Sequence, residues 1–266
     1  MSAATPYAAI LSARFRTLLQ YRAAAVAGFG TQLFWGLIRM MIFAGFYHST
    51  TAPQPMTYPQ VVTYVWLGQA MFAMLIFGVD RDVQAMVRTG TVAYELLRPL
   101  DLYNVWYMRA IALRTAPTLL RAVPMFAIAG FFFGLGPPPS LASGAAWVAA
   151  TIGALLLACA FWTLLTITMV WTVSGEGVIR LAPALIYVLS GQLLPIPLFP
   201  HWAQAALNLL PFRGLVDVPF RMYMGHLPPS QLGVELGQQL AWTFALVLLG
   251  RRLLARGLRR LEVQGG

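Results

Sequence analysis

Six separate apolar stretches, each long enough to cross a lipid bilayer or to enter it deeply, are spread along nearly all 266 residues of the chain. A helical crossing needs about 20 apolar residues, because each residue advances a helix by about 1.5 Å and the hydrocarbon core is about 30 Å thick. Composition agrees, since 59% of the residues are hydrophobic and only 10% are charged. So little polar surface could not solvate a water-soluble domain of this size. The sequence therefore predicts an integral membrane protein.

The six stretches predict an all-α membrane domain with six transmembrane helices. The fifth stretch is short, and Pro195, Pro197 and Pro200 follow it before a second apolar piece at 202–212. Irregular backbone at membrane depth is tolerated where protein or a water-filled cavity surrounds it, so this region favours an outer re-entrant hairpin between spans five and six. The predicted spans are about 23–47, 58–79, 116–135, 145–173, 178–194 and 232–254.

The residues before the first span, 1–22, predict a cytoplasmic amphipathic helix, and 23–266 predict a single membrane domain. Arg16 lies opposite an apolar stripe with helical spacing. Two roles remain open: the helix anchors the chain to the anionic inner leaflet, or it is an elbow that steers the first span. The stripe consists of Tyr7, Ile10, Leu11, Phe15, Leu18 and Leu19.

The distribution of arginine predicts the orientation. Of the 18 basic residues, Arg213 and Arg221 fall on one side of the predicted spans, Arg39 lies within the first span, and the others collect on the side of both termini. Because basic residues are retained in the cytoplasm, both termini are expected there. Topology therefore explains the net charge of +10, and we expect no nucleic-acid partner, because the chain has no motif for one.

The loop after the second span, residues 78–101, is the most informative part of the sequence. Val79, Val83, Met86 and Val87 form a short apolar helix face, and Thr89-Gly90 predicts its end. A short, charged, well-capped helix is suited to docking a cytosolic partner, whereas the alternative is an ordinary loop whose charges follow the positive-inside rule. Asp101 is a predicted N-cap for the next helix.

Nine residues are predicted to couple the chain to such a partner. Eight belong to the loop, and the ninth is a lone acid in a later turn among arginines on the inner side. They are Asp80, Arg81, Asp82, Arg88, Glu95, Arg98, Pro99, Asp101 and Glu176.

Arg39 is an ionisable residue deep in the apolar first span, and Gln32 lies two turns earlier on the same face. A charge inside the membrane is costly, so both residues are candidates for lining a translocation path. The alternative is structural. Arg39 would lie about 12 Å from the outer end of the span and would snorkel or pair with an acid such as Glu235.

No motif for catalysis is present. The chain has no Walker A sequence, no zinc-protease motif and no nucleophile elbow, and Cys159 lies alone within a span. We therefore predict no catalytic residue and no metal site, and the chain cannot hydrolyse ATP by a Walker mechanism.

With these features in place, the chain resembles the ABC-2 type permease superfamily, the six-span membrane subunits of ATP-binding-cassette exporters. The resemblance is closest to the branch found with daunorubicin-resistance-type ATPases, and it covers the whole chain. The residues that carry it are the loop 90–101 (GTVAYELLRPLD), the segment 189–200 (LSGQLLPIPLFP) with Trp202, Leu210-Pro-Phe212, Pro219 and the terminal Val263-Gln-Gly-Gly266.

The resemblance implies an N-terminal elbow helix, a coupling helix within residues 80–101 that docks on an ATPase subunit, and the re-entrant hairpin. It also implies a partner ATPase that binds ATP and magnesium, a second permease that is identical or related, and a bacterial inner membrane. The chain itself would bind no cofactor. We expect an exporter of a hydrophobic or amphipathic substrate.

Two other functions were considered. A secondary transporter or channel that works alone would need inverted repeats and ionisable coupling residues at mid-membrane, but no repeat is evident and Arg39 is the only such residue. A membrane-embedded enzyme acting on lipids would need clustered His, Asp or Glu, whereas the acids here are dispersed. Substrate identity, and whether the two permeases are identical, are not encoded in recognisable residues.

Overall fold

The computed structural model describes residues 5–20, 22–75, 78–171 and 176–259, with the backbone alone for 22–24 and 176. These residues form helices joined by turns, with no strand among them, so the predicted all-α class is confirmed. The helices are α1 (Thr5–Leu19), α2 (Arg22–Ser49), α3 (Tyr58–Ala70), α4 (Arg81–Arg88), α5 (Val92–Leu96), α6 (Leu102–Phe132), α7 (Leu141–Trp171), α8 (Glu176–Leu189), α9 (His201–Leu209), α10 (Asp217–Tyr223) and α11 (Leu232–Leu258).

Four of the described helices, α2, α6, α7 and α11, are long and apolar enough to cross a membrane. The first, fourth and sixth predicted spans correspond to α2, α7 and α11, although residues 172 and 173 of the fourth lie outside the described part. The terminal motif at 263–266 also lies outside it. The protein is thus a helical membrane protein, and three of its four long apolar helices correspond to predicted spans with similar bounds.

The second and fifth predicted spans are shorter as helices than the sequence suggested. Helix α3 has 13 residues and ends before Met71, where a 3-10 turn at Phe72–Met74 follows. At about 1.5 Å per residue this helix is roughly 20 Å long, less than a hydrocarbon core. Every residue from Val61 to Ala70 is buried, so α3 is an internal helix. Its unbroken apolar sequence reflects burial in protein, which periodicity alone cannot distinguish from a lipid-facing span.

Helix α8 has 14 residues, and the chain turns away from it after Leu189. Gly191 takes a positive φ of 90°, which favours glycine. A Cβ atom at this position would also lie 2.6 Å from the hydroxyl oxygen of Tyr64. The predicted fifth span, 178–194, therefore ends in an irregular turn that packs closely on α3.

The third predicted span begins too late in the sequence. Helix α6 starts at Leu102, where the carboxylate of Asp101 accepts a hydrogen bond from the Asn104 N–H at 2.8 Å. Pro117 and Pro124 both lie within the helix. Membrane helices tolerate proline because neighbouring groups satisfy the freed backbone. Arg114 and Arg121, predicted on the side of both termini, therefore belong to a long apolar helix.

Helix α1 lies along α6. The predicted apolar stripe is the face of α1 that is half-buried, whereas Arg16 on the opposite face is exposed. Tyr7 and Ile10 pack against a core cluster that includes Tyr103 and Trp106 of α6. The stripe thus exists as a helix face, and it contacts the protein.

Helices α7 and α11 are fixed to each other by a polar contact inside the bundle. The side-chain amide of Gln239 donates to the carbonyl of Ala150 at 3.0 Å and to the carbonyl of Gly214 at 2.7 Å. Gly153 of α7 makes room for it, because a Cβ atom there would lie 2.3 Å from the Gln239 Oε1. This contact also holds the turn before α10, which positions the 190–228 segment described below.

Candidate functional site

The 78–101 segment contains the short capped helix that the sequence predicted. The carboxylate of Asp80 caps α4 by accepting from the N–H groups of Asp82 at 2.9 Å and Val83 at 3.3 Å. The helix ends at Arg88, and Gly90 follows with a φ of 72°. A glycine stop is a local device, which is why the sequence revealed the end of this helix, whereas Asp80 was predicted as a coupling residue and not as its cap.

Two acids of α4 are held by arginines of other helices. Arg109 of α6 donates from Nε to Asp80 at 3.0 Å and from Nη2 to Asp82 at 2.9 Å, and Arg14 of α1 pairs with Asp82 as well. Asp80 is buried and its contacts are internal, so it has no surface to offer a partner in this conformation. The arrangement clamps α4 onto α1 and α6.

The ion pairs also affect the protonation of Asp82. Partial burial raises the pKa of this carboxyl, but the hydrogen bonds and charges of Arg14 and Arg109 outweigh burial and hold the pKa below its ordinary value. Asp82 therefore stays ionised at neutral pH, and the clamp keeps its charge.

Asp101 joins three helices at the end of the same segment. Its backbone N–H donates to the hydroxyl oxygen of Tyr7 in α1 at 3.0 Å, and its carboxylate caps α6. The same carboxylate lies 3.6 Å from Arg251 of α11, which also donates to Asn104 at 2.6 Å. The predicted cap is confirmed, and its links to α1 and α11 were not visible in the sequence.

The rest of the segment presents an exposed surface, here termed the cytoplasmic patch after the side of the membrane that the sequence predicts for it. Tyr94 and Leu97 are 70% and 80% exposed, which is unusual for large apolar side chains outside a membrane span. Glu95 pairs with Arg98 at 3.2 Å. The patch consists of Arg81, Arg88, Tyr94, Leu96, Leu97, Arg98 and Pro99, all of which are exposed. Mixed apolar and basic side chains of this kind suit a protein partner.

Glu176 is the first residue of α8, and its side chain lies outside the described part of the structure. Its predicted role in coupling therefore stays a prediction.

Arg39 is buried and holds the turn that follows α8. Its Nη2 donates to the carbonyl oxygens of Gln192 at 2.5 Å and Leu193 at 2.8 Å. The suggested pairing with Glu235 is wrong, because Glu235 pairs with Arg213. Arg39 instead satisfies backbone carbonyls that an irregular turn leaves without helical partners.

Gln192 extends this contact to α3. Its side-chain amide donates to the carbonyl of Gly68 at 3.1 Å, and a Cβ atom on Gly68 would lie 2.9 Å from the amide nitrogen. The turn after α8 is thus bound to both α2 and α3.

Gln32, the second predicted path residue, lies two turns before Arg39 in α2. Its side chain is buried, and its Oε1 has no hydrogen-bond partner among the described residues. The structure does not bring Gln32 into the contacts that Arg39 makes. It is an unpaired polar group inside the bundle, which is costly unless something else binds it.

The 190–228 segment contains a buried acid that sequence reasoning missed. Asp217 is 0% exposed and accepts hydrogen bonds from the Tyr64 hydroxyl, the Ile196 N–H and Arg221, each at 3.3 Å. Arg221 in turn donates from Nε to His226 Nδ1 at 3.0 Å. A single acid between Val216 and Val218 in an apolar run was the signal that could have revealed it.

A cleft of about 690 Å³ adjoins this network. Its walls come from the loop at 53–55 and from the 190–228 segment, and they include His201, Arg221 and His226. Burial and the charge of Arg221 lower the pKa of His226, so this imidazole is neutral at pH 7 and accepts the hydrogen bond.

Arg114 is a buried charged residue whose position was predicted wrongly from the sequence. It is buried within α6, donates to the carbonyl of Leu75, and lies 5.1 Å from the ring centroid of Trp162 in α7. Leu75 follows the 3-10 turn at the end of α3, shortly before the 78–101 segment. Arg114 therefore connects the approach to that segment with the middle of the bundle.

The described residues contain no group of three or more His, Cys, Asp or Glu side chains that could hold a metal ion. The clustered charges are arginine–carboxylate pairs and arginine–carbonyl contacts. Chemically, these arrangements can fix and transmit the positions of helices.

Comparison with known proteins agrees with this picture of a membrane transport component. A family model described as ABC-2 family transporter protein matches residues 33–265, which is most of the chain. A search of curated proteins finds no match.

Proposed function

This chain belongs to the ABC-2 transporter family, and we propose that it is the membrane subunit of an exporter driven by a separate ATPase subunit. ATP and magnesium would be bound by that subunit, and the transported molecule would be hydrophobic or amphipathic. The observation that carries the proposal is the cytoplasmic patch, because it exposes Tyr94 and Leu97 on a segment that is clamped to three other helices.

The clamp gives the patch a mechanical connection to the membrane domain. Movement of a partner against α4 would act on α6 through Arg109 and on α1 through Arg14. Movement near Asp101 would act on α11 through Arg251. Closure of an ATPase dimer on ATP binding would therefore shift helices that also form the bundle core. A partner that binds one arrangement of these helices more tightly than another favours that arrangement.

The proposed topology has six crossings with both termini in the cytoplasm of a bacterial cell, in the inner membrane. The short helices α3 and α8, extended by irregular segments, would supply the second and fifth crossings. Helices α9 and α10 would form the outer re-entrant hairpin, and α1 would be the elbow helix. The excess of arginine near the termini and near the 78–101 segment supports this orientation.

Two permeases, identical or related, would assemble with two ATPase subunits around a path between them. Arg39 and Gln32 remain the candidates for that path, since both are buried polar side chains in α2. No reaction is assigned to the chain itself, whose role would be to supply the path and the motion.

Co-purification tests the proposal directly. The tagged full-length chain is extracted from its native membrane in mild detergent, and its partners are identified by mass spectrometry and assayed for ATPase activity. A Walker-type ATPase should co-purify with the unaltered chain and be lost from the Tyr94→Ala/Leu97→Ala variant. The matched control is Leu141→Ala, since Leu141 is also strongly exposed but starts α7 far from the patch. A chain that is purified alone under several mild conditions would contradict the proposal and favour a transporter or channel that works by itself.

A further inference from the structure

A cleft lies between α2 and α6 on the surface of the helix bundle. It has a volume of about 210 Å³, and its walls are Ala25, Val26, Phe29, Leu120 and Pro124. Val26 is 70% exposed, so the cleft opens to the surroundings of the bundle. Helices α2 and α6 are long and apolar enough to cross a membrane, and in the topology of the proposed function those surroundings are lipid.

A guanidinium group lies immediately beside this cleft. Arg121 follows the cleft residue Leu120, and its side chain lies flat against Gly28 of α2, next to Phe29. A Cβ atom at Gly28 would be 2.6 Å from Cζ of Arg121, so only glycine permits this approach.

Arg121 has no partner in the described part of the chain. Its Nε is buried and makes no hydrogen bond, and no carboxylate or carbonyl of the described residues binds the group. Arg121 differs in this from Arg39 and Arg114, which donate hydrogen bonds to backbone carbonyls. An unpaired charge at membrane depth is costly, so a partner for it is expected from outside the described chain.

The depth of Arg121 indicates where that partner resides. Gly28 is six residues into α2, which begins at Arg22, so the contact lies about 9 Å from that end of the helix. In the orientation of the proposed function, on which this step rests, that end faces the cytoplasm. Helix α6 begins earlier, since Arg121 follows its first residue by 19 positions. The first turns of α6 pack against Tyr7 and Ile10 of α1, however, so α2 is the reference for depth. Measured along α2, the guanidinium is level with the inner leaflet.

The backbone supplies one more polar feature. Pro124 has no N–H, so the carbonyl of Leu120 does not receive the usual hydrogen bond from the residue four positions later. Leu120, a residue of the cleft wall, thus has a backbone acceptor that lacks this bond. A lipid headgroup with an anionic oxygen and a hydroxyl would bind both groups, because the oxygen accepts from the guanidinium and the hydroxyl donates to the carbonyl.

We propose that this cleft binds an anionic phospholipid of the inner leaflet, with an acyl chain between α2 and α6 and the phosphate on the guanidinium of Arg121. Arginine binds phosphate through two parallel N–H groups, and basic pockets between membrane helices on the cytoplasmic side suit anionic headgroups. The apolar walls favour a lipid over free phosphate, which would leave the cleft unfilled.

The experiment uses the full chain with whatever subunits co-purify, reconstituted in phosphatidylcholine nanodiscs. These contain a small fraction of phosphatidylglycerol that carries a photoreactive diazirine on an acyl chain. After illumination, mass spectrometry maps the crosslinked residues. Crosslinks should concentrate on 25–29 and 120–124, and Arg121→Gln should reduce them about fivefold, the change expected for losing one arginine contact with an anionic lipid.

Two further variants keep the outcome interpretable. Gly28→Leu retains the charge but fills the space of the guanidinium, and it should reduce the same crosslinks. Arg252→Gln removes an exposed arginine from α11 and should leave them unchanged. Size-exclusion profiles identify variants that fail to fold, and the crosslink map of the unaltered chain does not depend on any variant.

Crosslinks spread evenly over the exposed helix faces, or unaffected by Arg121→Gln in folded protein, would overturn the proposal. The same holds if a diazirine-labelled phosphatidylcholine without net charge labels the cleft equally well. Because no ATPase assay enters the readout, failure here is distinguishable from failure of the proposed exporter function.

Discussion

The 78–101 segment and the 190–228 segment are both irregular connections, yet the protein holds them in different ways. The first is fixed by ion pairs near its surface, through Arg14, Arg109 and Arg251, and it leaves an apolar patch exposed. The second is fixed by buried groups, where Asp217 is fully enclosed and Arg39 binds backbone carbonyls. The 78–101 segment is held from one side and can therefore contact a partner, whereas the enclosed 190–228 segment is part of the helix bundle.

This difference suggests that one segment transmits movement and the other stabilises the fold. The pair of Arg109 with Asp80 is largely buried, but the pairs made by Arg14 and Arg251 are partly exposed. Exposed ion pairs contribute little to stability but fix geometry, so we expect the 78–101 segment to transmit movement without being essential to folding. Buried polar networks are costly when broken, so the 190–228 segment should be essential to the bundle itself. The predictions below are arranged from the largest expected effect to the smallest.

Breaking the network around Asp217 should have the largest effect. Asp217→Ala leaves Arg221 without its carboxylate and the N–H of Ile196 without an acceptor, so we expect the free energy of unfolding in detergent to fall by about 3–5 kcal/mol. Thermal unfolding measures the change. In the double variant Asp217→Ala/Arg221→Ala the loss should be smaller than the sum of the two single losses. Additive losses would mean that the pair is not coupled.

Removing the contact of Arg39 should have a smaller effect on stability but a clear effect on transport. Arg39→Gln leaves the carbonyls of Gln192 and Leu193 without their donor, at a cost of about 1–3 kcal/mol. We expect transport in proteoliposomes to fall more than assembly, as measured by yield of the intact complex. Arg39→Lys, which keeps a charge and a donor, should retain part of the activity. A fully active Arg39→Gln variant would remove this residue from the path.

Loosening the clamp on α4 should leave the fold intact and affect coupling. Asp80→Ala removes both the N-cap of α4 and the carboxylate that binds Arg109, and the cap alone is worth about 0.5–2 kcal/mol. ATP hydrolysis should continue while transport per ATP declines, with normal membrane insertion. Arg252→Ala, at an exposed position of α11 outside the patch, is the control for changes in charge. Loss of insertion with Asp80→Ala would show that the clamp serves folding.

The smallest expected effect is that of a mild drop in pH, which should destabilise the 190–228 segment but not the 78–101 segment. Burial lowers the pKa of His226 in the fold, so its stabilising contribution is present above the ordinary histidine pKa of about 6.5 and is lost as pH falls through the lowered folded pKa. The pKa of Asp82 is also lowered, and its contribution is lost only as pH falls below about 4.

Hydrogen exchange at pH 7 and pH 5, corrected for intrinsic rates, measures this difference. Peptides from 190–228 should exchange faster at pH 5, whereas peptides from 78–101 should not change. In His226→Asn the pH effect on 190–228 should disappear. Equal changes in both segments would contradict the distinction between them.

The sequence predicted several local features of the fold and missed those that depend on distant residues. The stop at Gly90 and the cap at Asp101 involve partners within a few residues and were predicted, whereas the equally local cap at Asp80 was not. The hydrogen bond from Arg39 to Gln192 and that from Tyr64 to Asp217 each join residues 153 positions apart. No local pattern encodes such contacts, so a single sequence could mark Arg39 as unusual but could not identify its partner.

Span boundaries show the same limit. Helix α7 was located closely because a charge-free run of its length has no other interpretation. Helix α3 was extended too far, because a helix buried on all sides and a lipid-facing helix have similar composition. The predicted start of α6 was too late, because Arg114 was placed on the side of the termini. The helix accommodates Arg114 through the carbonyl of Leu75 and the ring of Trp162, which no local pattern reveals.

The most direct measurement is site-specific photo-crosslinking from the cytoplasmic patch to the co-purified ATPase. A photoreactive amino acid replaces Leu97, which is 80% exposed in the 78–101 segment, and in a parallel sample it replaces Leu141, which is 94% exposed at the start of α7. We predict a crosslink to the ATPase from position 97, altered in yield by ATP, and none from position 141. If position 97 fails to crosslink while the ATPase is bound, or if position 141 crosslinks instead, the patch is not the coupling surface.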